Sequence, residues 1–333
     1  MAANPDTLKI TRTINRRDIL FSVARVPNSN RAFVGASDFK VYEVDLTASK
    51  DSFKEIGAHQ SYVTCVTLAG PQLVSGGYDG KLIWWDADKK KQVRSIDAHK
   101  KRIRNLAATP DGKKVISVAD DMVARVWEAA TGKLIHELRG HGEKTPHHYP
   151  SMLYAVAVSH DGKHVATGDK VGLINVWELS SGKKVASMEA PVMYTWDPVQ
   201  RRHSIGGIRS LAFSPDGSLL AVGGMGKVGN IDHLEGKARV EVFDWQKALR
   251  THEFPGDRFQ GLVNHLEFHP DGGWLLGAGG AGEGFLLFLD LKAKKPLRQE
   301  KAPMHVHRLA LNEARDTIFA VGHQRLVTFE MKS

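Results

Sequence analysis

Along most of the chain, apolar positions fall in short alternating runs separated by glycine, aspartate, asparagine or proline. That is the spacing of half-buried β-strands joined by tight turns. No segment keeps helical periodicity over three turns, so an all-β array is predicted. Self-comparison shows a repeat: an apolar strand, a tight turn, a strand ending in small residues, a second turn, then a strand closing on an aromatic-acidic pair. Leu73–Asp86 and Val115–Glu128 are the clearest copies, and Val165–Glu178 is a third. Looser copies close at Val44-Asp45, Phe243-Asp244, Leu289-Asp290 and Phe329-Glu330, making seven.

The turns recur in phase with the strands. Pro110-Asp111-Gly112, His160-Asp161-Gly162, Pro215-Asp216-Gly217 and Pro270-Asp271-Gly272 occupy equivalent positions. Proline presets φ for the second turn position, and glycine takes the positive φ that completes the reversal. A second series, Thr131-Gly132-Lys133 and Ser181-Gly182-Lys183, follows the aromatic-acidic closure and leads into an outer strand. Strands near His305–Leu311, Thr317–Gly322 and Arg325–Glu330 leave the last repeat one short. Residues 7–14 are therefore predicted to supply its outer strand and close the sheet ring.

This period, the Trp-Asp-like closures and the Ala58-His59, Ala98-His99 and Gly140-His141 pairs resemble the WD40-repeat family. The resemblance covers essentially the whole chain. It implies a seven-bladed β-propeller of four-stranded antiparallel blades over residues 1–333, strand a innermost and strand d outermost. It also implies a hydrogen-bonded set inside a blade, matched by His59, Ser75, Asp79 and Trp85, and again by His99, Ser117, Asp121 and Trp127. A buried aspartate needs donors, which imidazole, hydroxyl and backbone N–H supply. Blade four keeps His141, Thr167 and Trp177 but has Val171 where the aspartate is expected. Blade one keeps Asp38 with Val34 and Val44 at the partner positions. Blades five to seven lose most of the set and should lean on apolar packing.

Composition narrows the function classes. One cysteine excludes an internal disulfide framework and a multi-cysteine zinc site; Cys65, in an alternating run, reads as a small buried hydrophobe. Residues 1–20 have no apolar stretch of signal-peptide length, and no later stretch approaches membrane-spanning length, so a cytoplasmic protein without membrane contact is expected. Lys and Arg (46) exceed Asp and Glu (37), for a net charge of +9 that favours acidic partners.

The motifs that resemble catalytic ones fail on context. Gly224, Gly226, Gly229 and Gly277, Gly279, Gly282 fit G-x-G-x-x-G, but each is followed by a strand, and a dinucleotide site needs a helix there. They read as inter-strand loops. His136-Glu137 and His141 carry one spacer too many for a zinc-protease pair, and on a strand rather than a helix. No catalytic residue, cofactor or metal is assigned.

Three segments depart from the repeat: 142–150 and 191–207 between blades, and 224–237 between strands b and c of blade five. In a propeller these connections emerge on one face. The inserted residues include His147, His148, Tyr149, Tyr194, Trp196, Arg201, Arg202, His203, Met225, Lys227 and His233. Aromatic and arginine side chains suit binding hot spots, and Trp196 lies outside every predicted strand. Two plainer alternatives stand beside this: Tyr194 and Trp196 pin a long loop, or the four loop histidines hold a metal. Lysines gather instead in the opposite turns (Lys89-Lys90-Lys91, Lys113-Lys114, Lys183-Lys184, Lys292, Lys294-Lys295), as a solvated rim. The expected function is a non-catalytic scaffold binding a protein or peptide on the long-loop face. Electrostatic nucleic-acid binding and an enzyme at the central mouth are the rivals.

Overall fold

The computed structural model describes residues 3–48, 52–199 and 202–332. Five antiparallel sheets of four strands form blades two to six, each in simple a-b-c-d order. Blade two, for instance, runs Val63–Ala69, Gln72–Gly77, Lys81–Asp86 and Lys91–Asp97. A sixth sheet of six strands holds two blades at once, because one strand, Asn4–Arg25, serves both. Asn4–Arg25 pairs first with Thr317–Lys332 (Ile14 opposite Leu326) and then, past a register irregularity, with Arg31–Ala36 (Val23 opposite Val34). Thr317–Lys332 doubles back on itself at Gln324, whose φ is 58°, so that the Met331 N–H reaches the Asp316 carbonyl at 2.7 Å. The result is a seven-bladed propeller closed by the N-terminal strand. Where separate strands were predicted, the backbone is continuous from the outer edge of blade seven to the inner edge of blade one.

Innermost strands pack in a circle, each against the next, from Asn4–Arg25 round to Val306–Leu311 and back to Asn4–Arg25. The core is correspondingly a set of layers between blades. Trp84 and Leu82 of blade two meet Ile103, Leu106 and Trp127 of blade three; Phe288 and Trp274 of blade six meet Ile318 and Phe329 of blade seven. Fully burying one such aromatic removes roughly 150–250 Å² from water.

The in-phase turns owe their shape to one more residue than the sequence reading used. Before each Asp-Gly stands a side chain that binds the aspartate: Thr109 to Asp111 and Ser159 to Asp161 at 2.6 Å, Ser214 to Asp216 at 2.5 Å. The following glycines have φ near 70°. Each carboxylate also accepts a backbone N–H two residues on, as Asp111 does from Lys113 at 3.0 Å.

Blades two and three contain complete hydrogen-bonded sets. His59 Nδ1–H donates to Asp79 at 3.0 Å, its Nε2 lies 2.8 Å from Ser75 Oγ, and Trp85 Nε1–H donates to the same Oγ at 2.8 Å. His99, Asp121, Ser117 and Trp127 repeat this at 3.0, 2.6 and 2.9 Å. Burial alone would raise the Asp79 pKa. Hydrogen bonding and charge from His59, with the Gln60 and Lys81 N–H groups, outweigh it and hold the carboxyl below its usual range. Asp121 is lowered in the same way, with Arg125 adding its charge.

Blade four corrects the reading at Val171. Its acid is Asp169, two residues earlier: His141 Nδ1–H donates to it at 2.8 Å, while the Thr167 hydroxyl donates to His141 Nε2 at 2.8 Å and accepts from Trp177 Nε1–H at 3.0 Å. Asp169 Oδ1 accepts the N–H groups of Val171 and Leu173, both at 3.0 Å, so it also ties the b-c turn. Blade five substitutes a buried ionic network, with Arg239 2.7 Å from Glu241, and Glu241 also 3.0 Å from Arg250.

Asp169→Ala should therefore destabilise the protein by about 2–4 kcal/mol, since His141 and two backbone donors lose their acceptor; Val171→Ala should cost far less. Equal losses in denaturant titrations would contradict this assignment. Removing residues 1–14 should lower the melting temperature by more than 10 °C or prevent folding, because blade seven loses its outer strand. An unchanged melt would count against closure.

Candidate functional site

The three insertions form one assembly on one face. Residues 191–207 are not the open loop expected from sequence. After a short 3-10 turn at Pro191–Met193, Tyr194–Asp197 and His203–Gly206 pair as an added hairpin, with Trp196 opposite Ser204. Trp196 thus belongs to a strand, a correction to its predicted place. The hairpin returns to blade five through Gly206 and Gly207, with φ of 99° and 96°. A Cβ on Gly207 would stand 2.7 Å from the Lys170 backbone, so glycine is required for this close approach.

Neighbouring insertions lock onto the hairpin. The His147 ring stacks on Trp196 at 4.2 Å between centroids and 10° between planes, and its Nδ1 lies 3.1 Å from the Tyr194 hydroxyl. Tyr149, 43% exposed, meets Trp196 from another side at 5.3 Å. From blade five, the Val228 N–H donates to Thr195 Oγ1 at 3.1 Å, and Ile205 packs on Met225, Val228 and Leu262. Loop pinning by Tyr194 and Trp196 is therefore real, and it joins loops from three blades.

The predicted contact residues divide. His148, Arg202, His203, Lys227 and His233 are exposed; His147, Tyr194 and Trp196 are half-buried. Met225 is fully buried in the small apolar cluster with Val228 and Leu262, and is withdrawn as a contact residue: it anchors the loop. Arg201 lies outside the described residues. Among the described residues no group of three His, Cys, Asp or Glu side chains converges as a metal site.

The second part of the face was not foreseen. At the central mouth, the first residues of the inner strands line a cavity of about 220 Å³. Arg104 enters from blade three, Tyr154 from blade four, Arg209 from blade five, Asn264 from blade six, and His307 and Arg308 from blade seven. Arg104 grips Asp120 through two bonds of 2.8 and 2.7 Å and donates to the Tyr78 hydroxyl. Arg209 sits over the Tyr154 ring, its guanidinium carbon 3.6 Å from the centroid, and donates to the Gly206 carbonyl at 3.1 Å; its Nε is buried without a partner. Lys170, 6% exposed, has its pKa lowered by burial and then by the charges of Arg209 and Arg104. Burial pushes the Arg308 guanidinium down as well.

Beside the arginines His305, His307 and His323 stack within 4.8–5.0 Å of one another. His305 Nδ1–H donates to the Ala281 carbonyl at 2.9 Å and Nε2 accepts from Asn264 at 2.7 Å, which fixes it neutral. Burial first, then the charge of His323, depress its pKa to about 4. His307 is held well below its ordinary value by burial and both neighbours, and His323 is lowered by burial. No single repeat displays this cluster; superposing the repeats at the start of strand a would have shown arginine, histidine and asparagine recurring there.

The closed ring of four-stranded blades and the histidine-hydroxyl-acid-tryptophan sets define a WD-repeat β-propeller. A family model described as WD domain, G-beta repeat matches residues 50–86, 90–128 and 196–228. The first two windows end on the Trp85-Asp86 and Trp127-Glu128 closures of blades two and three. Over those stretches the chain matches the WD40 repeat, and its fold is the propeller that such repeats build. It is 25% identical over 262 residues to telomerase protein component 1 of Mus musculus, covering 79% of this chain and 9% of that protein. It is 29% identical over 195 residues to apoptotic protease-activating factor 1 of Rattus norvegicus (58% and 15%). Over 257 residues it is 26% identical to U3 small nucleolar RNA-associated protein 4 homolog of Homo sapiens (74% and 36%). The chain thus spans little more than a third, at most, of these relatives. Among the described residues no helix is long and apolar enough to cross a membrane.

The histidine stack gives a pH dependence whose sign is fixed. All three are lowered in the fold, so the unfolded chain binds more protons below pH 6.5. Stability is full above that value and is lost as pH falls through it toward the folded pKa values. His305 alone should forfeit about 2 kcal/mol by pH 5. Melting the wild type and His307→Leu at pH 7.5 and 5 should show a smaller acid-induced drop in the variant. Equal drops would exclude the stack as their source.

Proposed function

We propose that the protein is a non-catalytic interaction platform that takes a protein or peptide partner on the long-loop face. One observation carries this reading: insertions from three separate connections fold into a single aromatic-centred assembly beside a basic mouth. Such rigid, partly exposed aromatics beside arginine suit a binding hot spot. Among the described residues these elaborations lie on the long-loop face; the lysine-rich turns open on the other side, where Lys89 and Lys90 already engage Asp86 and Glu43. The mouth does hold the titratable cluster that an enzyme would need. His305 has both ring nitrogens engaged, however, and the arginines at the lining are suited to hold an anion rather than to move a proton.

The test compares affinity capture by the wild type, Trp196→Ala, Arg202→Glu and a Lys183→Ala/Lys184→Ala control. Arg202 is exposed, so its substitution should leave the melt unchanged while reducing recovery of specific partners at least fivefold, as should Trp196→Ala. The lysine control should capture normally. Identical recovery by all four would place binding elsewhere.

A further inference from the structure

Resting on the reading that this face receives a peptide, we infer that the central mouth is a phosphate-binding pocket that takes a phosphorylated side chain from it. The charge count points there first. Arg104 is neutralised by Asp120, but no carboxylate lies within ion-pair distance of Arg209, Arg308 or Lys170 among the described residues. Glu267, the acid nearest in effect to Arg308, is already held by Arg315 and His265. Like charges gathered in and beside a half-enclosed cavity oppose folding unless an anion joins them.

The donors then set the valence of that anion. One carboxylate is satisfied by one guanidinium fork, as Asp120 is by Arg104. Two further guanidiniums at the lining, with the Lys170 charge near enough to interact with Arg209 and Arg104, suit a dianion with three acceptor oxygens, which a phosphate monoester supplies. The unpartnered Nε of Arg209 and Nε2 of His307 add buried polar atoms at the same cavity. About 220 Å³ accommodates a phosphate and its side chain. Arg209 also bonds the carbonyl of Gly206 at the base of the added hairpin, so a peptide crossing Trp196 would approach the mouth beside it.

Single-stranded nucleic acid fits less well. It needs a basic track with open aromatic platforms. Here the cations converge on one point, and the rings of Tyr78 and Tyr154 are already covered by Arg102, Arg104 and Arg209.

The experiment uses a labelled degenerate peptide library with one fixed phosphoserine, the same library with serine, inorganic phosphate and a uridine oligonucleotide. Binding is read by anisotropy and thermal melting for the full chain, Arg308→Met and Lys170→Met. The phosphorylated library should bind at least tenfold more tightly than its serine counterpart, and each variant should lose most of that preference. Both variants should melt at the same or a higher temperature than the unliganded wild type, because an uncompensated charge has gone. A purely structural role would lower the melt and spare the preference, and would overturn the inference. Equal binding of the two libraries, or tighter binding of the oligonucleotide, would also overturn it. Inorganic phosphate stabilising as strongly as the phosphopeptides would exclude the peptide as carrier. Capture that depends on Trp196 without any phosphate preference would sink this inference and leave the platform reading intact.

Discussion

A blade cannot stand alone, because each face of its sheet needs another sheet to cover it. Only a closed circle gives every blade two neighbours, and the protein reaches closure through the pairing of Asn4–Arg25 with Thr317–Lys332. That seam aligns the inner strands, and their alignment brings side chains from separate repeats to one central mouth. The cluster of Arg104, Arg209 and Arg308 is thus a product of closure. These residues are far apart in sequence and share no sheet.

Around this circle, stabilising interactions are distributed unevenly. Blades two to four hold their turns with partnered polar sets, each built round a carboxylate that accepts from an imidazole. Blade five relies on a buried ionic network, and blades six and seven on aromatic and aliphatic packing. The insertions gather at the junction between these regimes, from the end of blade three to blade five. Regular blades on one side give the added hairpin a firm base.

Much of the fold was legible because turns and buried hydrogen bonds demand particular residue types at a fixed period. Asp111, Gly112 and Trp127 are recognisable wherever they recur. Asp169 escaped phase arithmetic because a carboxylate two residues earlier can still reach the same imidazole. Trp196 was recognised as unusual, yet its strands are only four residues long, and in them the polar Thr195 and Ser204 turn inward while Tyr194 and Trp196 stay half-buried. Met225 was misread because a loop boundary does not tell which way its first side chain turns. The mouth stayed hidden for a geometric reason, since one arginine per repeat carries no local signature.

The seam also has a mechanical side. Asn4 faces Lys332 across the pairing, so the described ends leave the molecule side by side at the same end of an antiparallel ladder. A force drawing them apart would load that ladder like a zipper, one hydrogen bond at a time, and not along its length in shear. In a longer polypeptide under tension, blade seven would be the first to peel.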